Sequence, residues 1–286
     1  MVVLVSALGP DPRHGMLLLE GGHLAWDAVG GGPPVILVHG FSLDRRMWDD
    51  VVPLLATDFT VVRHDLRGFG ESAPMDLHCA YSHAEDLLAL MDHLEIPQAA
   101  LVGFSFGAHP ALQLALLEPE RTSALVLVDA LLEGVRWDEA TTAATHAVTA
   151  ALHDRGIDAA KDVWLAHPFF AVANQQPETA ARLATIVGGY SGRHWLGEDP
   201  ARTDGPRPID ALGQVRGPAT VVVGELDVPA FREMSEVLAR GIPAARPVTI
   251  AGSGHVSPME APAQVAAAIR ATMIAAAPAV GLNPPG

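Results

Sequence analysis

The sequence contains a single cysteine, Cys79, in 286 residues. One cysteine cannot form an intramolecular disulfide, and it cannot build a thiolate metal site without help from other residue types. The sequence also lacks an H-E-x-x-H motif, a closely spaced set of Cys and His, and the full glycine and lysine pattern of a phosphate-binding loop. We therefore expect neither a metal nor an organic cofactor, and the cysteine count fits a reducing compartment.

Basic residues and long apolar runs are also scarce. The chain has 18 Lys and Arg against 33 Asp and Glu, a formal net charge of -15, which repels phosphate backbones and anionic lipid. The apolar stretches are shorter than the ~18 residues of a membrane span, and residues 1–10 lack the basic region of a signal peptide. We expect a soluble, cytoplasmic monomer or homodimer that binds a small molecule rather than nucleic acid or a membrane.

Hydrophobic residues make up 49% of the chain, which is enough for a packed core. Short apolar runs alternate with helical patterns, as in strands joined by crossover helices. Residues 17–20 and 23–27 flank Gly21 and Gly22, whose permissive backbone predicts an antiparallel hairpin. Further strands are predicted at residues 35–38, 60–63, 99–102, 124–128, 219–223 and 247–250, and helices at about residues 44–56, 80–95, 105–118, 230–240 and 260–276. The pattern predicts an α/β fold with a mostly parallel, eight-stranded sheet flanked by helices.

The strand pattern stops after Asp129. Residues 131–205 are rich in alanine and helical patterns, which predicts a helical cap inserted after the sixth strand. The core domain would then comprise residues 1–130 and 206–286, with residues 1–15 and 278–286 as loose ends. Aromatic side chains in the cap either pack its own small core or line a pocket between cap and sheet. The candidate pocket residues are Trp137, Trp164, Phe169, Tyr190 and Trp195, with Phe104 from the core.

The sharpest motif is Gly103-Phe104-Ser105-Phe106-Gly107, between a predicted strand and a predicted helix. A strand-to-helix turn this tight strains its central residue and projects it above the sheet, and small flanking residues avoid clashes there. The start of the helix adds N–H donors and a positive dipole end, which favour negative charge beside them. The motif predicts that Ser105 is a nucleophile.

A serine hydroxyl is a poor nucleophile at neutral pH and needs a base that a carboxylate holds in place. His255 is the best candidate because it lies on a glycine-rich loop between the last predicted strand and the last helix. Asp227, just beyond the seventh strand, is the preferred carboxylate, and Asp129, at the end of the sixth, is the alternative. The chain order Ser105, Asp227, His255 matches this arrangement on a parallel sheet.

Acyl transfer also needs donors for the oxyanion of the transition state. The backbone N–H of Phe106, at the start of the helix, is one candidate. His39-Gly40-Phe41 follows the third predicted strand, and the N–H of Phe41 is the second. These two residues form the predicted oxyanion hole.

The ordered motifs resemble those of the α/β-hydrolase superfamily over about residues 17–275. They are His39-Gly40-Phe41, the D-x-R-G-x-G-x-S pattern at residues 65–72, the serine motif, the run at residues 224–227 and Gly254-His255. Residues 190–195 and 224–229 are similar to the small cytoplasmic esterase and lactonase branch, including enol-lactonases. The resemblance implies cleavage of an ester or lactone of a small, mainly apolar substrate through an acyl-enzyme, without metal or cofactor. Asp65 and Arg67 are expected to stabilise loops.

Other chemistries of the same fold remain to be weighed. Haloalkane dehalogenases and epoxide hydrolases place Asp at the nucleophile position, so Ser105 disfavours both. Carbon–carbon bond hydrolases and perhydrolases keep the Ser-His-Asp set, and a cofactor-free oxygenase would use His255 with little need of Ser105. A binder of a small ligand that does no chemistry is the alternative from another class.

Overall fold

The computed structural model describes residues 11–73, 75–197, 199–203, 205–243 and 245–276. One sheet runs through the molecule, and its strands are β1 (Arg13–Leu19), β2 (Gly22–Val29), β3 (Pro34–Val38), β4 (Thr60–His64), β5 (Ala99–Phe104), β6 (Thr122–Val128), β7 (Ala219–Gly224) and β8 (Arg246–Ile250). The order across the sheet is β1-β2-β4-β3-β5-β6-β7-β8. β1 pairs antiparallel with β2 and β2 with β4, whereas all other neighbouring pairs are parallel. The predicted α/β fold with a mostly parallel eight-stranded sheet is confirmed.

The central strands are apolar because both of their faces are covered. Every residue of β5 is buried, and in β6 only Ser123 is partly exposed, as expected of parallel strands between two layers of helices. β1 instead alternates, and the side chain of Leu18 on this edge strand is 79% exposed. Because β5, β6 and β7 are adjacent and parallel, the loops that follow them meet at one edge of the sheet.

The chain ends differ in part from the prediction. Residues 13–15 were expected to be loose, yet they lie in β1, where Arg13 pairs with Ala28 of β2. The reason is the hairpin. Its turn contains Gly21, with a φ of 72°, and the pairing of β1 with β2 continues towards the N-terminus beyond the apolar run that marks the strand in the sequence. Residues 1–10 and 277–286, which include the predicted loose tail, lie outside the described residues.

The helices cover both faces of the sheet. The α-helices are α1 (Val52–Leu55), α2 (His83–His93), α3 (Ala108–Leu117), α4 (Glu139–Arg155), α5 (Ile157–Leu165), α6 (Pro177–Gly189), α7 (Pro208–Ala211), α8 (Pro229–Gly241), α9 (Ser257–Glu260) and α10 (Pro262–Ala276). Short 3₁₀ helices span Arg45–Trp48, Gly70–Ser72, Ser105–Gly107, Pro119–Arg121, Pro168–Phe170, Ala173–Gln175, Arg193–Leu196 and Leu212–Gln214. In the described ranges, no helix is long and apolar enough to cross a bilayer.

One predicted helix is wrong. The pattern at residues 44–56 gives two short pieces, Arg45–Trp48 and α1, instead of one helix. Asp44 caps the first piece by accepting a hydrogen bond from the N–H of Arg46 at 3.0 Å. Pro53 lies at the start of the second, where its missing N–H is tolerated, but it cannot continue a helix from the preceding residues.

The segment between β6 and β7 is helical, as predicted. It contains α4, α5 and α6, with two of the 3₁₀ helices between α5 and α6 and a third after α6, and it ends with α7 and a fourth 3₁₀ helix before β7. Its buried aromatic and aliphatic side chains join those of the sheet in one continuous hydrophobic core. The cap therefore packs directly on the edge of the sheet where the loops after β5, β6 and β7 meet.

Candidate active site

Ser105 occupies a strained turn between β5 and α3. Its φ is 48°, in the left-handed region that non-glycine residues avoid. The flanking glycines are required by close backbone contacts: a Cβ on Gly103 would lie 2.5 Å from the carbonyl oxygen of Gly107, and one on Gly107 would lie 2.3 Å from that of His39. The turn therefore exists only with glycine at both positions, and it holds Ser105 at the edge of the sheet where the cap packs.

His255 and Asp227 complete a hydrogen-bonded chain with Ser105. The Nε2 atom of His255 lies 3.0 Å from the Oγ atom of Ser105, and its Nδ1 atom lies 2.9 Å from Oδ2 of Asp227. The carboxylate can only accept, so Nδ1 carries the proton and Nε2 is left to accept the serine proton. The structure brings together the three residues predicted from the sequence, and all are buried, with Ser105 8% exposed.

Three aromatic rings enclose the imidazole of His255. The ring of Phe231 stacks on it at 3.9 Å between centroids, and the rings of Phe169 and Phe104 lie at 4.8 and 5.3 Å. The rings restrict rotation of the imidazole, so its bonds to Ser105 and Asp227 keep their directions. The sequence analysis did not single out Phe231, which lies in α8 four residues after Asp227 at an apolar helix position that carries no distinguishing signal.

Asp129, the alternative carboxylate, does not contact His255. Its Oδ1 atom accepts from the N–H of Gly224 at 2.9 Å, and Oδ2 accepts from the N–H and the hydroxyl of Ser257 at 3.2 and 2.5 Å. Burial, and then the nearby Asp227 carboxylate, raises the pKa of Asp129 well above its ordinary value, although its hydrogen bonds favour the charged form. Asp129 thus joins the end of β7 to the start of α9, the two segments that carry Asp227 and His255.

Glu260 holds the same histidine loop from its other side. Its carboxylate accepts from the hydroxyl of Ser253 at 2.7 Å and from the N–H groups of Gly254 and Val256 at 2.5 and 3.4 Å. Two of these donors flank His255 in the sequence, so the loop is fixed on both sides of the imidazole. Sequence reasoning gave Glu260 no role, and its only signal is its position five residues after the histidine.

The segment predicted to donate to the oxyanion lies against Ser105. A Cβ on Gly40 would lie 2.6 Å from the ring of Phe104 and 3.3 Å from Cβ of Ser105, so glycine is what allows this approach. His39 fixes the segment: its Nδ1 donates to the carbonyl oxygen of Gly40, and its Nε2 accepts from the N–H of Leu66, each at 2.8 Å. Burial lowers the pKa of His39, in agreement with the neutral ring that these two bonds require.

Comparisons with known proteins identify the family of this chain. A sequence model described as the Alpha/beta hydrolase family matches residues 35–268. The chain belongs to the alpha/beta hydrolase family. The dihydrolipoyllysine-residue acetyltransferase component of the acetoin cleaving system from Pseudomonas putida is 33% identical over 272 residues, which cover 91% of this hydrolase and 68% of that protein.

Solved structures resemble this hydrolase over most of its length. A thermophilic esterase from Thermogutta terrifontis, with malate bound, has a TM-score of 0.76 at 28% identity, covering 92% of this chain and 99% of that one. The enol-lactonase from Burkholderia xenovorans LB400 shares the fold, with a TM-score of 0.76 at 22% identity over 91% of this chain and 100% of that one. The family match confirms the predicted superfamily, and the esterase at 28% identity agrees with the predicted esterase-like branch, whereas the enol-lactonase shows the shared fold alone.

Several curated relatives match over a shorter stretch. They include a fluoroacetate dehalogenase and a soluble epoxide hydrolase as well as esterases, and they match over 104 to 123 residues, which span 33% to 43% of their own length. Their names refer to different bonds, namely those of a dehalogenase, an epoxide hydrolase and methyl ester esterases, and one of the relatives is uncharacterized. The family match supports a hydrolase, and these short matches do not identify the bond that it cleaves.

The cap of this hydrolase surrounds Phe41 with aromatic rings. The centroids of Trp164, Tyr190 and Trp195 lie 5.9, 5.6 and 6.3 Å from that of Phe41. On the core side, the ring of Phe106 lies 6.1 Å from that of Phe41. Both predicted oxyanion residues thus present their side chains to the same aromatic cluster between core and cap.

The other predicted pocket residues gather at the histidine end of this hydrolase's site. Trp137 packs on Phe169 and Phe231 at 5.9 and 5.3 Å between centroids. Trp164 lies 5.7 Å from Phe169, which links this group to the cluster at Phe41. The six candidate pocket residues therefore belong to the aromatic packing around Phe41 and His255, between cap and core.

Neutral histidines add to the enclosure, and none was singled out for this role by the sequence analysis. Burial and the nearby His255 lower the pKa of His167 to about 4. His194 stacks on Phe69 at 4.2 Å, and its Nδ1 is hydrogen-bonded to the hydroxyl of Tyr190 at 2.9 Å. His83 lies edge-on to Phe106 at 5.6 Å, and burial holds its pKa well below the ordinary value. These imidazoles therefore join the aromatic rings that pack between core and cap.

Asp65 and Arg67 stabilise loops, as predicted. Asp65 accepts from the backbone N–H groups of Arg45 and Glu71, each at 2.8 Å. Arg67 donates to both carboxylate oxygens of Asp86 at 2.9 and 2.7 Å. Among the residues that the structure describes, no group of three or more His, Cys, Asp or Glu is arranged to hold a metal ion.

Proposed function

We propose that the protein is a serine hydrolase that cleaves a carboxylic ester or lactone of a small, mainly apolar substrate through an acyl-enzyme. The observation that carries the proposal is the chain from Ser105 through His255 to Asp227, with both hydrogen bonds at 2.9 to 3.0 Å. This is the geometry in which an imidazole removes a serine proton while a buried carboxylate stabilises the imidazolium. Ser105 also separates the chain from relatives of this fold that use Asp at this position.

Acylation follows from this geometry. The Oγ atom of Ser105 forms a bond to the substrate carbonyl carbon as Nε2 of His255 takes its proton. The tetrahedral intermediate then collapses, the bond from the carbonyl carbon to the leaving oxygen breaks, and His255 returns the proton to that oxygen. In a lactone the leaving oxygen stays attached to the acyl group, so the product remains one molecule.

Deacylation repeats these steps with water. His255 removes a proton from the water as its oxygen attacks the acyl carbon, and the proton passes to Oγ of Ser105 when the acyl bond breaks. The N–H groups of Phe41 and Phe106 are assigned to the oxyanion in both halves of the reaction. A donor of this kind contributes about 2.7–4 kcal/mol to the transition state.

The lining of the site supports an uncharged acyl group. Phe104, Phe169 and Trp164 present aromatic surface near the candidate triad, and His167 is neutral at physiological pH. An ionised acyl group would lose its hydration without gaining a countercharge from these side chains, which costs several kcal/mol. The esterase from Thermogutta terrifontis, at 28% identity over most of both chains, is further support for ester cleavage.

The test is hydrolysis of p-nitrophenyl esters from acetyl to dodecanoyl by the wild type, Ser105→Ala and Ser235→Ala. Ser235 is a matched control because its hydroxyl is buried without a hydrogen-bond partner in the described part of the chain. We expect turnover with a preferred acyl length, a loss of about 10⁴-fold or more in Ser105→Ala, and no change in Ser235→Ala.

Other outcomes would point elsewhere. A folded wild type that turns over none of the esters would favour carbon–carbon bond cleavage, perhydrolysis or binding without chemistry. Ester hydrolysis that survives Ser105→Ala would contradict the acyl-enzyme on Ser105, and His255 would then act without the serine, as it would in the cofactor-free oxygenase. A preference for charged acyl groups with simple esters inert would contradict the apolar substrate.

A further inference from the structure

A cap side chain reaches the segment that carries Phe41. The indole Nε1–H of Trp164, in the last turn of α5, donates to the hydroxyl oxygen of Ser42 at 2.6 Å. Both partners are buried, with Trp164 6% and Ser42 1% exposed. A hydrogen bond shielded from water in this way resists exchange with solvent and fixes the relative position of its partners.

Ser42 has a backbone conformation that needs external support. Its φ is 61°, in the left-handed region, where a serine is less stable than a glycine. The N–H of Leu43 donates to the carbonyl oxygen of Gly40 at 3.3 Å, which closes a turn over Phe41 and Ser42. The direction of the Phe41 N–H depends on this turn, and the turn contains a residue that disfavours it.

The ring of Trp164 supports the same turn through packing. Its centroid lies 5.9 Å from that of Phe41 in an edge-on arrangement, and the rings of Phe170 and Trp195 lie against it at 5.4 and 5.9 Å. The indole is therefore held on the cap side before it bonds to Ser42. Packing and the hydrogen bond can be separated by a substitution that keeps an aromatic ring and removes the N–H.

We propose that Trp164 is a positioning residue: its indole N–H holds Ser42, and through the turn it aims the Phe41 N–H at the oxyanion. The inference rests on the proposed function, because it assigns the oxyanion of acyl transfer to Phe41. It follows that the oxyanion hole is complete only when α5 of the cap is seated on the core. Substrate entry requires access to the buried Ser105. Movement of the cap that gives this access would break the contact of Trp164 with Ser42 and disrupt the oxyanion hole, and closure of the cap would restore it.

The experiment compares Trp164→Phe, Ser42→Ala and the double variant with the wild type on the best p-nitrophenyl ester. We expect kcat to fall about 10- to 100-fold in each single variant, less than or equal to the loss of a complete oxyanion donor, with KM within about twofold. The double variant should lose no more than the stronger single variant, because both remove the same bond. Trp26→Phe is the matched control, since the Nε1 of Trp26 is buried without a partner among the described residues.

A second readout separates positioning from packing. A trifluoromethyl ketone bonds to the serine as a charged hemiketal, so its inhibition constant depends on the oxyanion hole, whereas that of the corresponding uncharged alcohol does not. We expect Trp164→Phe and Ser42→Ala to weaken the ketone about 10-fold or more and to leave the alcohol unchanged. Equal weakening of both inhibitors would mean that Trp164 only shapes the pocket and would overturn the inference.

The two proposals fail in different ways. If the wild type shows ester turnover that depends on Ser105, and the folded Trp164→Phe and Ser42→Ala variants keep full kcat, this inference is wrong and the proposed function stands. If the wild type shows no such turnover and forms no ketone adduct, both are wrong. If Trp164→Phe does not fold, Ser42→Ala alone tests the inference, because it removes only the hydroxyl oxygen that accepts the hydrogen bond from Trp164.

Discussion

The carboxylate of Asp129 accepts a hydrogen bond of 2.5 Å from the hydroxyl of Ser257, two residues after His255. The same carboxylate accepts from the N–H of Gly224, three residues before Asp227. One buried carboxyl group therefore links the segment before Asp227 to the segment after His255 without contacting either residue, which is a role that its position in the sequence does not reveal.

Replacing Asp129 should damage both stability and turnover. In Asp129→Asn the amide nitrogen faces donors rather than acceptors, so at least one buried hydrogen bond is lost, at about 1–3 kcal/mol. We expect the Tm to fall by roughly 3–10 °C and kcat by about 10-fold or more, measured by calorimetry and ester hydrolysis. The control is Glu225→Gln, because the exposed carboxylate of Glu225 accepts a hydrogen bond from the N–H of Gly252 in the wild type. An unchanged Asp129→Asn would contradict the account.

Asp227 should matter through the tautomer of His255. In Asp227→Asn the amide NH₂ can meet Nδ1 as a donor, which favours a proton on Nε2 and blocks acceptance from Ser105. We expect kcat to fall about 10⁴-fold with the Tm changed much less than in Asp129→Asn, measured on the same ester and by calorimetry. If Asp227→Asn proves mild and Asp129→Asn severe in kcat alone, Asp129 is the acid and the assignment is wrong.

Buried neutral histidines predict the pH dependence of stability. Both ring nitrogens of His64 are buried without a partner among the described residues, and burial lowers the pKa of His64 to about 3. Between that value and about 6.5, the pKa of an exposed histidine, the unfolded chain binds a proton that the folded chain does not. Stability is therefore unaffected by His64 above about pH 6.5 and falls as the pH drops below it, by about 1.4 kcal/mol per pH unit.

The measurement is the free energy of unfolding in urea at pH 7, 6 and 5. The raised pKa of Asp129 acts in the opposite direction, so the informative quantity is the difference between variants. His64→Leu should flatten the dependence by about one proton, or about 2 kcal/mol between pH 7 and 5. His153→Leu, at an exposed position of α4, should leave the slope unchanged, and an equal effect of both would refute the assignment.

Glycine positions around the serine turn should be intolerant of a methyl group. A Cβ on Gly107 would lie 2.3 Å from the carbonyl oxygen of His39, in backbone that His39 itself fixes. We expect Gly107→Ala to lower the Tm by several degrees and kcat by about 100-fold or more. Gly188→Ala, in α6 with no atom within 4 Å of the new Cβ, should keep its activity and gain about 0.4–1 kcal/mol of stability. Equal changes in Tm and kcat in the two variants would contradict the claim that close backbone contacts require glycine at position 107.

The fold and the Ser105, His255 and Asp227 set could be predicted because their signals are local. Gly103 and Gly107 mark a turn that no other residue allows, and each of the three polar residues lies within five residues of the end of an apolar run that forms a strand. The order of the strands then brings the loops together, since parallel neighbours end at the same edge of the sheet.

What the sequence analysis missed depends on contacts between distant segments. The bond from Trp164 to Ser42 spans 122 residues, and the stacking of Phe231 on His255 comes from an apolar position indistinguishable from its neighbours in α8. The choice between Asp227 and Asp129 was settled by side-chain direction, because both follow adjacent strands. The break at Pro53 is the exception, since that residue was visible in the sequence and its effect on residues 44–56 was underestimated.

The most direct test of the central claim is the intact mass of the protein after exposure to a fluorophosphonate. An activated serine forms a covalent phosphonyl ester, whereas an ordinary serine does not react. The account predicts one label per chain in the wild type, located on Ser105 by peptide mapping, and none in Ser105→Ala. A folded wild type that stays unlabelled, or a label that persists in Ser105→Ala, would contradict it.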